Sequence, residues 1–379
     1  MNIHKRHKIL FISSWFPNKL EPTNGNFVQR HAEAVSLLHD VEVLHAIGDF
    51  NQKEKFVFDD EMINGIRTLI VYYKNSKNPL QNFLRRMKAY QLGFKKMQKP
   101  DLVHGNVLHN NMLFAVSLKR KYGIPFVISE HWSVFQEQNH HKISKSARFL
   151  AKKIAEKASF ILPVTENLIS GLQKLGINTP MKVVGNVVDT DLFSPKFEKS
   201  EKKFTFLHIS NLISLKNPEK IIKAAIDLHQ INPYFELQIG GDGDLKPLQK
   251  MIHQNNAESY IKTFGMLSLE QVSEKMKAAN CFVLFSDYEN QPCVILESLA
   301  SGIPVIATKV GGIPKLLNEK RGVLIEKNDS HALLEAMKNV LQKNVALESS
   351  ENLRKYVLEN FTKSVIAEKF SEIYNQVLS

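Results

Sequence analysis

Cysteine is nearly absent: Cys281 and Cys293 are the only two in 379 residues. Two cysteines give no disulfide framework for a chain of this size, which fits a reducing compartment, and the expected localisation is cytoplasmic. No run approaches the roughly 18 apolar residues of a membrane span. The N-terminus, MNIHKRHKILFISSWF, begins basic, but its apolar core is too short for a secretory signal, and KILFIS reads better as a first strand. Histidine and cysteine form no cluster at metal-ligand spacing. Internal repeats and low-complexity segments are also missing.

What is present is an apolar fraction of 43% with 23% charged residues, the balance of a soluble globular protein. The length exceeds one ordinary core and predicts two domains. The net charge of +12 lies wholly in the first half: residues 1–199 hold 29 Lys and Arg against 17 Asp and Glu, while residues 200–379 hold 21 of each. A basic half suits an anionic partner such as a membrane surface or a lipid diphosphate, or it is a solvated face; composition leaves both readings open. A nucleic-acid partner is not expected, because no matching motif accompanies the charge.

Strands and helices alternate along the chain. Strands are expected at 8–13, 41–47, 101–106, 125–130 and 159–165, with helices at 25–38 and 111–122 between them. A charged linker, KFEKSEKK, follows Pro195. The pattern then restarts with strands at 204–210, 235–241 and 261–265 and a helix at 217–230. This predicts an α/β protein of two doubly wound, Rossmann-like domains, residues 1–195 and 196–358. Residues 79–99 form a basic amphipathic helix. It either lies on an anionic membrane or packs its apolar stripe on the core with a solvated basic face, the plainer expectation.

The stretch from Ser286 to Pro314, SDYENQPCVILESLASGIPVIATKVGGIP, organises the second half. Strand CFVLFS leads into a polar loop, then a helical run ended by Gly302, then strand PVIAT and Gly311–Gly312. Glu289 falls in the loop beyond a strand end and Glu297 about a turn into the helix. Ligands of open α/β sheets sit beyond the carboxyl ends of strands, and a helix N-terminus suits a phosphate. A carboxylate there can accept hydrogen bonds from sugar or ribose hydroxyls.

This stretch resembles the Glu-x7-Glu region of retaining glycosyltransferases of family 4, which have the GT-B fold. The loop, both Glu residues, the Ala-Ser-Gly-Ile-Pro-Val turn and the Gly-Gly fall in family order. The resemblance implies a cleft between the domains, an acceptor-binding first domain, a nucleotide-sugar-binding second domain, and a last helix (359–379) crossing back onto the first. It implies that Glu297 binds the donor ribose and that Glu289 lies close to the transferred sugar. The backbone N–H groups of Gln291, Cys293 and Val294 would approach sugar and phosphate; Pro292 has none. Lys216, in SNLISLKNPEK, matches the family lysine on the donor diphosphate, while Asn211 stands where the family usually has an arginine. Gly25 matches the glycine-bearing loop facing the diphosphate and acceptor. His131 matches the histidine near the reacting sugar, with Glu130 and Trp132 shaping acceptor binding beside it. His104 is a lesser candidate.

The expected activity is retaining transfer of a hexose from a UDP- or GDP-linked sugar to a glycan or polyprenyl-diphosphate-linked acceptor, in cell-surface polysaccharide biosynthesis. The enzyme would work at the inner membrane face or in solution, with no cofactor and no metal. Asp189–Asp191 and Asp242–Asp244 match Asp-x-Asp, but fall in the family's linker and Gly-Gly-Asp-Gly turn and are not read as a metal site. The alternatives are a catalytically silent nucleotide-sugar-binding protein, favoured by Asn211, and a sugar-nucleotide epimerase.

Overall fold

The structure, a computed structural model, describes residues 5–196 and 203–379. The expected linker at 196–203 lies almost wholly outside the described residues. The chain forms two compact units, Met1–Val187 with Lys363–Ser379, and Val188–Thr362. The first boundary therefore falls earlier than residue 195. Val184 and Val187 are buried in a core of the first unit, whereas Val188 and Phe193 are buried in one of the second.

The first unit contains β1 (Lys8–Ser13), α1 (Asn26–Ser36), β2 (Asp40–Asp49), β3 (Phe56–Ile63), β4 (Ile66–Lys74), α2 (Pro79–Phe94), β5 (Leu102–Asn106), α3 (Leu113–Tyr122), β6 (Phe126–Glu130), α4 (Lys145–Ala155), β7 (Phe160–Pro163) and α5 (Glu166–Lys174). Its sheet runs β3-β4-β2-β1-β5-β6-β7. All pairs are parallel except β3 with β4. The apolar runs bury both sheet faces, as a parallel sheet requires. Because side chains alternate, Leu10, Ile12 and Leu44 join one core while Ile9, Phe11 and Val43 join the other.

The β3–β4 hairpin is absent from the expected strands. Its signal is Asn64–Gly65, the two-residue turn between Ile63 and Ile66, with φ of 49° and 76°. Two positive φ angles are what Asn-Gly accommodates between twisted strands.

The second unit contains β8 (Phe204–Ser210), α6 (Pro218–Ile231), β9 (Phe235–Gly241), α7 (Lys246–Gln254), β10 (Ile261–Phe264), α8 (Leu269–Ala278), β11 (Cys281–Leu284), α9 (Cys293–Ala300), β12 (Val305–Thr308), α10 (Ile313–Leu316), β13 (Gly322–Ile325), α11 (Ser330–Leu341) and α12 (Ser350–Asn360). The sheet is wholly parallel, in the order β10-β9-β8-β11-β12-β13. Gly302 ends α9 at φ 71°, with Gly302 N–H donating to Leu299 O at 3.0 Å and Ile303 N–H to Ser298 O at 3.1 Å.

The last helix, α13 (Lys363–Leu378), belongs to the first unit. Tyr374 and Phe370 are buried there with Val28 and Ala32 of α1. His104 is fixed from both sides, Nδ1 to the Tyr374 hydroxyl at 2.6 Å and Nε2 to Ser129 Oγ at 2.8 Å. It is thus a core crosslink between β5, β6 and α13. In each unit the strand order reverses once, between β1 and β5 and between β8 and β11. Those reversals are where an open α/β sheet offers a crevice at its carboxyl end.

Candidate active site

In the second unit, the loops leaving β8 and β11 carry the expected donor residues. From Ser210 the chain passes Asn211, which is exposed, and turns through Ser214–Lys216 before Asn217 opens α6. From Leu284 it passes Ser286 and Glu289 to reach α9. Asn217 joins the two loops. At φ 48° its side chain donates to Phe285 O at 3.0 Å and to Asp287 Oδ1 at 2.8 Å. Asp287 N–H returns a bond to Leu215 O at 2.9 Å. Asn217 was not among the expected site residues; its signal was the Asn-Pro pair, which marks a turn into a helix.

Across this joint, Lys216 Nζ donates to Glu289 Oε1. The two side chains keep only 18% and 10% of their exposure. A pair so far removed from water is a poor source of net stability, yet removing one partner leaves the other charge stranded. Two residues singled out separately are therefore one unit. Behind them His208 bridges the strands, Nδ1 to Val283 O at 2.8 Å and Nε2 to Ser210 Oγ at 2.9 Å.

Glu297 sits on α9 at 4% exposure, and Gln291 is buried at the start of the same helix, with Cys293 and Val294 half-buried. Pro292 caps α9 at φ −68° and has no N–H of its own. The Asp-x-Asp carboxylates serve turns. Asp189 Oδ1 accepts from Asp191 N–H at 3.2 Å and Leu192 N–H at 3.1 Å, and Asp244 Oδ1 accepts from Lys246 N–H at 3.0 Å.

The first unit gathers its expected residues beyond β1, β5 and β6. Gly25 caps α1 at φ 77°, and a Cβ there would lie 2.4 Å from the Trp15 carbonyl carbon. Only glycine meets both demands. Phe27 and His31, on α1, flank His131 with ring centroids 4.3 and 5.2 Å away. Burial holds His131 well below the usual histidine range and His31 at about 4, so both imidazoles are neutral near pH 7. His131 can therefore hydrogen-bond to a substrate there but brings no charge.

Glu130, expected on the acceptor side, is turned to backbone groups of the loops around His131. It is fully buried, and its two oxygens accept the backbone N–H groups of Leu108 and Trp132, each at 2.6 Å. Burial pushes it up to about 7, opposed by those amides. It ties the loop after β6 to the turn after β5. In that turn Val107 holds φ 69°, a rare conformation for a β-branched residue. Trp132 remains half-exposed, edge-on to Trp15 and to His109, each at 6.0 Å.

The buried histidines make the protein acid-sensitive. His31, His45 and His208 sit at about 4 and His104 and His131 well below 6.5, in each case chiefly through burial. A depressed pKa means the unfolded chain takes up protons first. Their stabilisation is present above pH 6.5 and is lost as pH falls towards 4. Glu130, raised to about 7, has the opposite sign, its stabilisation fading as pH rises from 4.5 through 7, but it is one group against five. The urea midpoint should fall steadily from pH 6.5 to 4; a flat or rising midpoint across that window would contradict these burial states.

Two family models match in tandem: Glycosyltransferase Family 4 over residues 25–192 and Glycosyl transferases group 1 over residues 189–359. Among curated proteins, the chain is 26% identical over 296 residues to the Escherichia coli UDP-Gal:alpha-D-GlcNAc-diphosphoundecaprenol alpha-1,3-galactosyltransferase, covering 74% of this chain and 76% of that one. It is also 26% identical over 356 residues to the putative teichuronic acid biosynthesis glycosyltransferase TuaC of Bacillus subtilis, covering 87% and 88%. Among solved structures, sucrose-phosphate synthase from Thermosynechococcus elongatus aligns at a TM-score of 0.78 and 18% identity over 98% of this chain and 99% of that one. Anabaena HepE in complex with UDP aligns at 0.76 and 18% over 97% and 100%.

Proposed function

Because the chain belongs to the glycosyl transferases of group 1, family 4, and has the GT-B fold, we propose that it moves a sugar, with retention, from a UDP- or GDP-linked donor to a glycan or polyprenyl-diphosphate-linked acceptor. The second unit binds the donor. The observation that carries this is the Lys216–Glu289 pair at the β8/β11 reversal, with Glu297 buried on the adjoining helix. Lys216 supplies cationic charge for a diphosphate, Glu289 fixes that cation and faces the sugar, and Glu297 takes the ribose hydroxyls. Asn211, at the mouth of the loop, donates hydrogen bonds where an arginine would bring charge. Glu289 is engaged by Lys216 and is not read as a covalent nucleophile.

The first unit takes the acceptor, with neutral His131 as its hydrogen-bonding group and Gly25 holding the loop beside it. The galactosyltransferase and TuaC, by their names, act on a diphosphoundecaprenol-linked sugar and in teichuronic acid biosynthesis. By that kinship we assign this chain to cell-surface polysaccharide assembly. The reaction needs no metal, consistent with Asp189 and Asp244 being occupied as turn caps.

We assign a peripheral contact with an anionic bilayer to the first turns of α2. Among the described residues no helix is long and apolar enough to cross a membrane. Yet Leu80 is 67% and Leu84 58% exposed, with Lys77 and Lys88 exposed nearby, while Ala89, Tyr90 and Gly93 pack inward. The buried later turns fit the core-packed role expected for the helix, and the exposed first turns are what supports the bilayer reading. Its arginines also bond within the unit, Arg85 to Lys74 O at 2.5 Å and Arg86 to Asn111.

Two measurements test this. With EDTA present, one nucleotide sugar from a UDP and GDP panel should raise the thermal midpoint of the wild type and not of Glu297→Ala; stabilisation by none of them, or an equal shift in the variant, contradicts the donor site. Wild type should co-sediment with anionic vesicles at low salt, and Leu80→Asp/Leu84→Asp should lose most of that binding; equal sedimentation removes α2 as the contact.

A further inference from the structure

Arg86 is a half-buried cation with no carboxylate paired to it among the described residues. It projects from α2. Its bonded partner is neutral, the Asn111 side-chain oxygen, with the Tyr73 hydroxyl alongside. Its Nε is sealed from solvent with no partner among the described residues. Two other arginines of this unit are matched by carboxylates, Arg6 by Asp40 and Arg67 by Asp60 and Glu42. A guanidinium drawn away from water and met only by neutral groups is under-satisfied by the ordinary rules of burial.

Its position is specific. Asn111, which orients Arg86, also donates to Ser14 Oγ at 3.2 Å. Ser14 follows the end of β1, and Asn111 lies in the turn after β5. Arg86 is therefore tied to both lips of the β1/β5 reversal, the crevice where this sheet topology places ligands. Its charge is also felt by His109, which lies beside Trp132, with Trp15 edge-on to the same indole. Half-exposed indoles, linked to the guanidinium through His109, offer with it two complementary surfaces: apolar rings for the C–H face of a sugar, and a planar fork for a tetrahedral anion.

We propose that Arg86, oriented by Asn111, binds a phosphate group on the acceptor, with Trp132 and Trp15 receiving the acceptor sugar. This deepens the acceptor role given to the first unit and rests on that reading. The phosphate could come from a soluble sugar phosphate or a lipid-borne sugar diphosphate, since the guanidinium recognises the same oxygens in both.

The test is calorimetric titration of the full chain in a Lys216→Ala background, which removes the second unit's diphosphate cation. The probes are glucose 1-phosphate, inorganic pyrophosphate, uncharged glucose, and a polyprenyl-diphosphate sugar in detergent micelles. At least one phosphate probe should bind, with affinity falling as salt rises. Arg86→Gln should weaken it by about tenfold or more, and Arg86→Lys by less, since charge remains but the fork is lost. Glucose should respond equally in both backgrounds. Binding of glucose 1-phosphate identifies a soluble acceptor, and binding of the micellar probe alone a lipid-borne one; either supports the site. No binding by any phosphate probe, or equal binding by wild type and a folded Arg86→Gln, overturns it. Donor-induced thermal shifts on the wild type, with Lys216 and Arg86 both intact, separate the failures: if the donor binds there while no phosphate probe binds the Lys216→Ala chain, the anion site falls and the transferase reading stands.

Discussion

The candidate donor site depends on one ion pair held almost out of water. Lys216 and Glu289 are 73 residues apart, the first ending a single 3-10 turn and the second lying in an irregular loop. They meet because β8 and β11 are neighbours at the reversal of strand order, and because Asn217 and Asp287 stitch the loops together at backbone level. A lysine already fixed in direction needs little rearrangement when an anionic ligand arrives. That is the preorganisation by which fixed charges stabilise developing charge better than solvent does.

The first unit uses neutral groups where the second uses charge. His131 is enclosed by Phe27 and His31 and stays uncharged, and Glu130 is spent on two amide donors that hold the surrounding loops. The strained Val107 turn is part of the same arrangement, since the amide after Val107 is one of the donors Glu130 accepts. Arg86 is the exception, a cation placed at this unit's own reversal of strand order and met by neutral partners. The two units thus present different chemistry at the reversal of strand order in each sheet.

Much of this was legible in the sequence because it is local. The strand at 204–210, the Glu289 and Glu297 spacing, the Gly302 helix stop and the Gly25 loop follow from pattern and turn chemistry within a few residues. What was not legible depends on distant partners. Arg86 reads as one more basic residue on an amphipathic helix until Asn111, 25 residues on, draws it inward. Glu130, next to His131, reads as a substrate contact until Leu108 and Trp132 claim both oxygens. The β3–β4 hairpin and β13 were passed over for a different reason. An exposed edge strand with Asp-Asp-Glu and a four-residue strand carry little hydrophobic periodicity, although Asn64–Gly65 marked the former.

The central claim is that Lys216 and Glu289 act as one preorganised donor-binding unit, and a double-mutant cycle on donor affinity tests it most directly. Calorimetry would compare wild type, Lys216→Ala, Glu289→Ala and the double variant with whichever nucleotide sugar binds. Coupling predicts that each single change weakens binding and that the double change costs clearly less than their sum, by about 1 kcal/mol or more. Strictly additive losses, or singles that bind like wild type, would contradict the account.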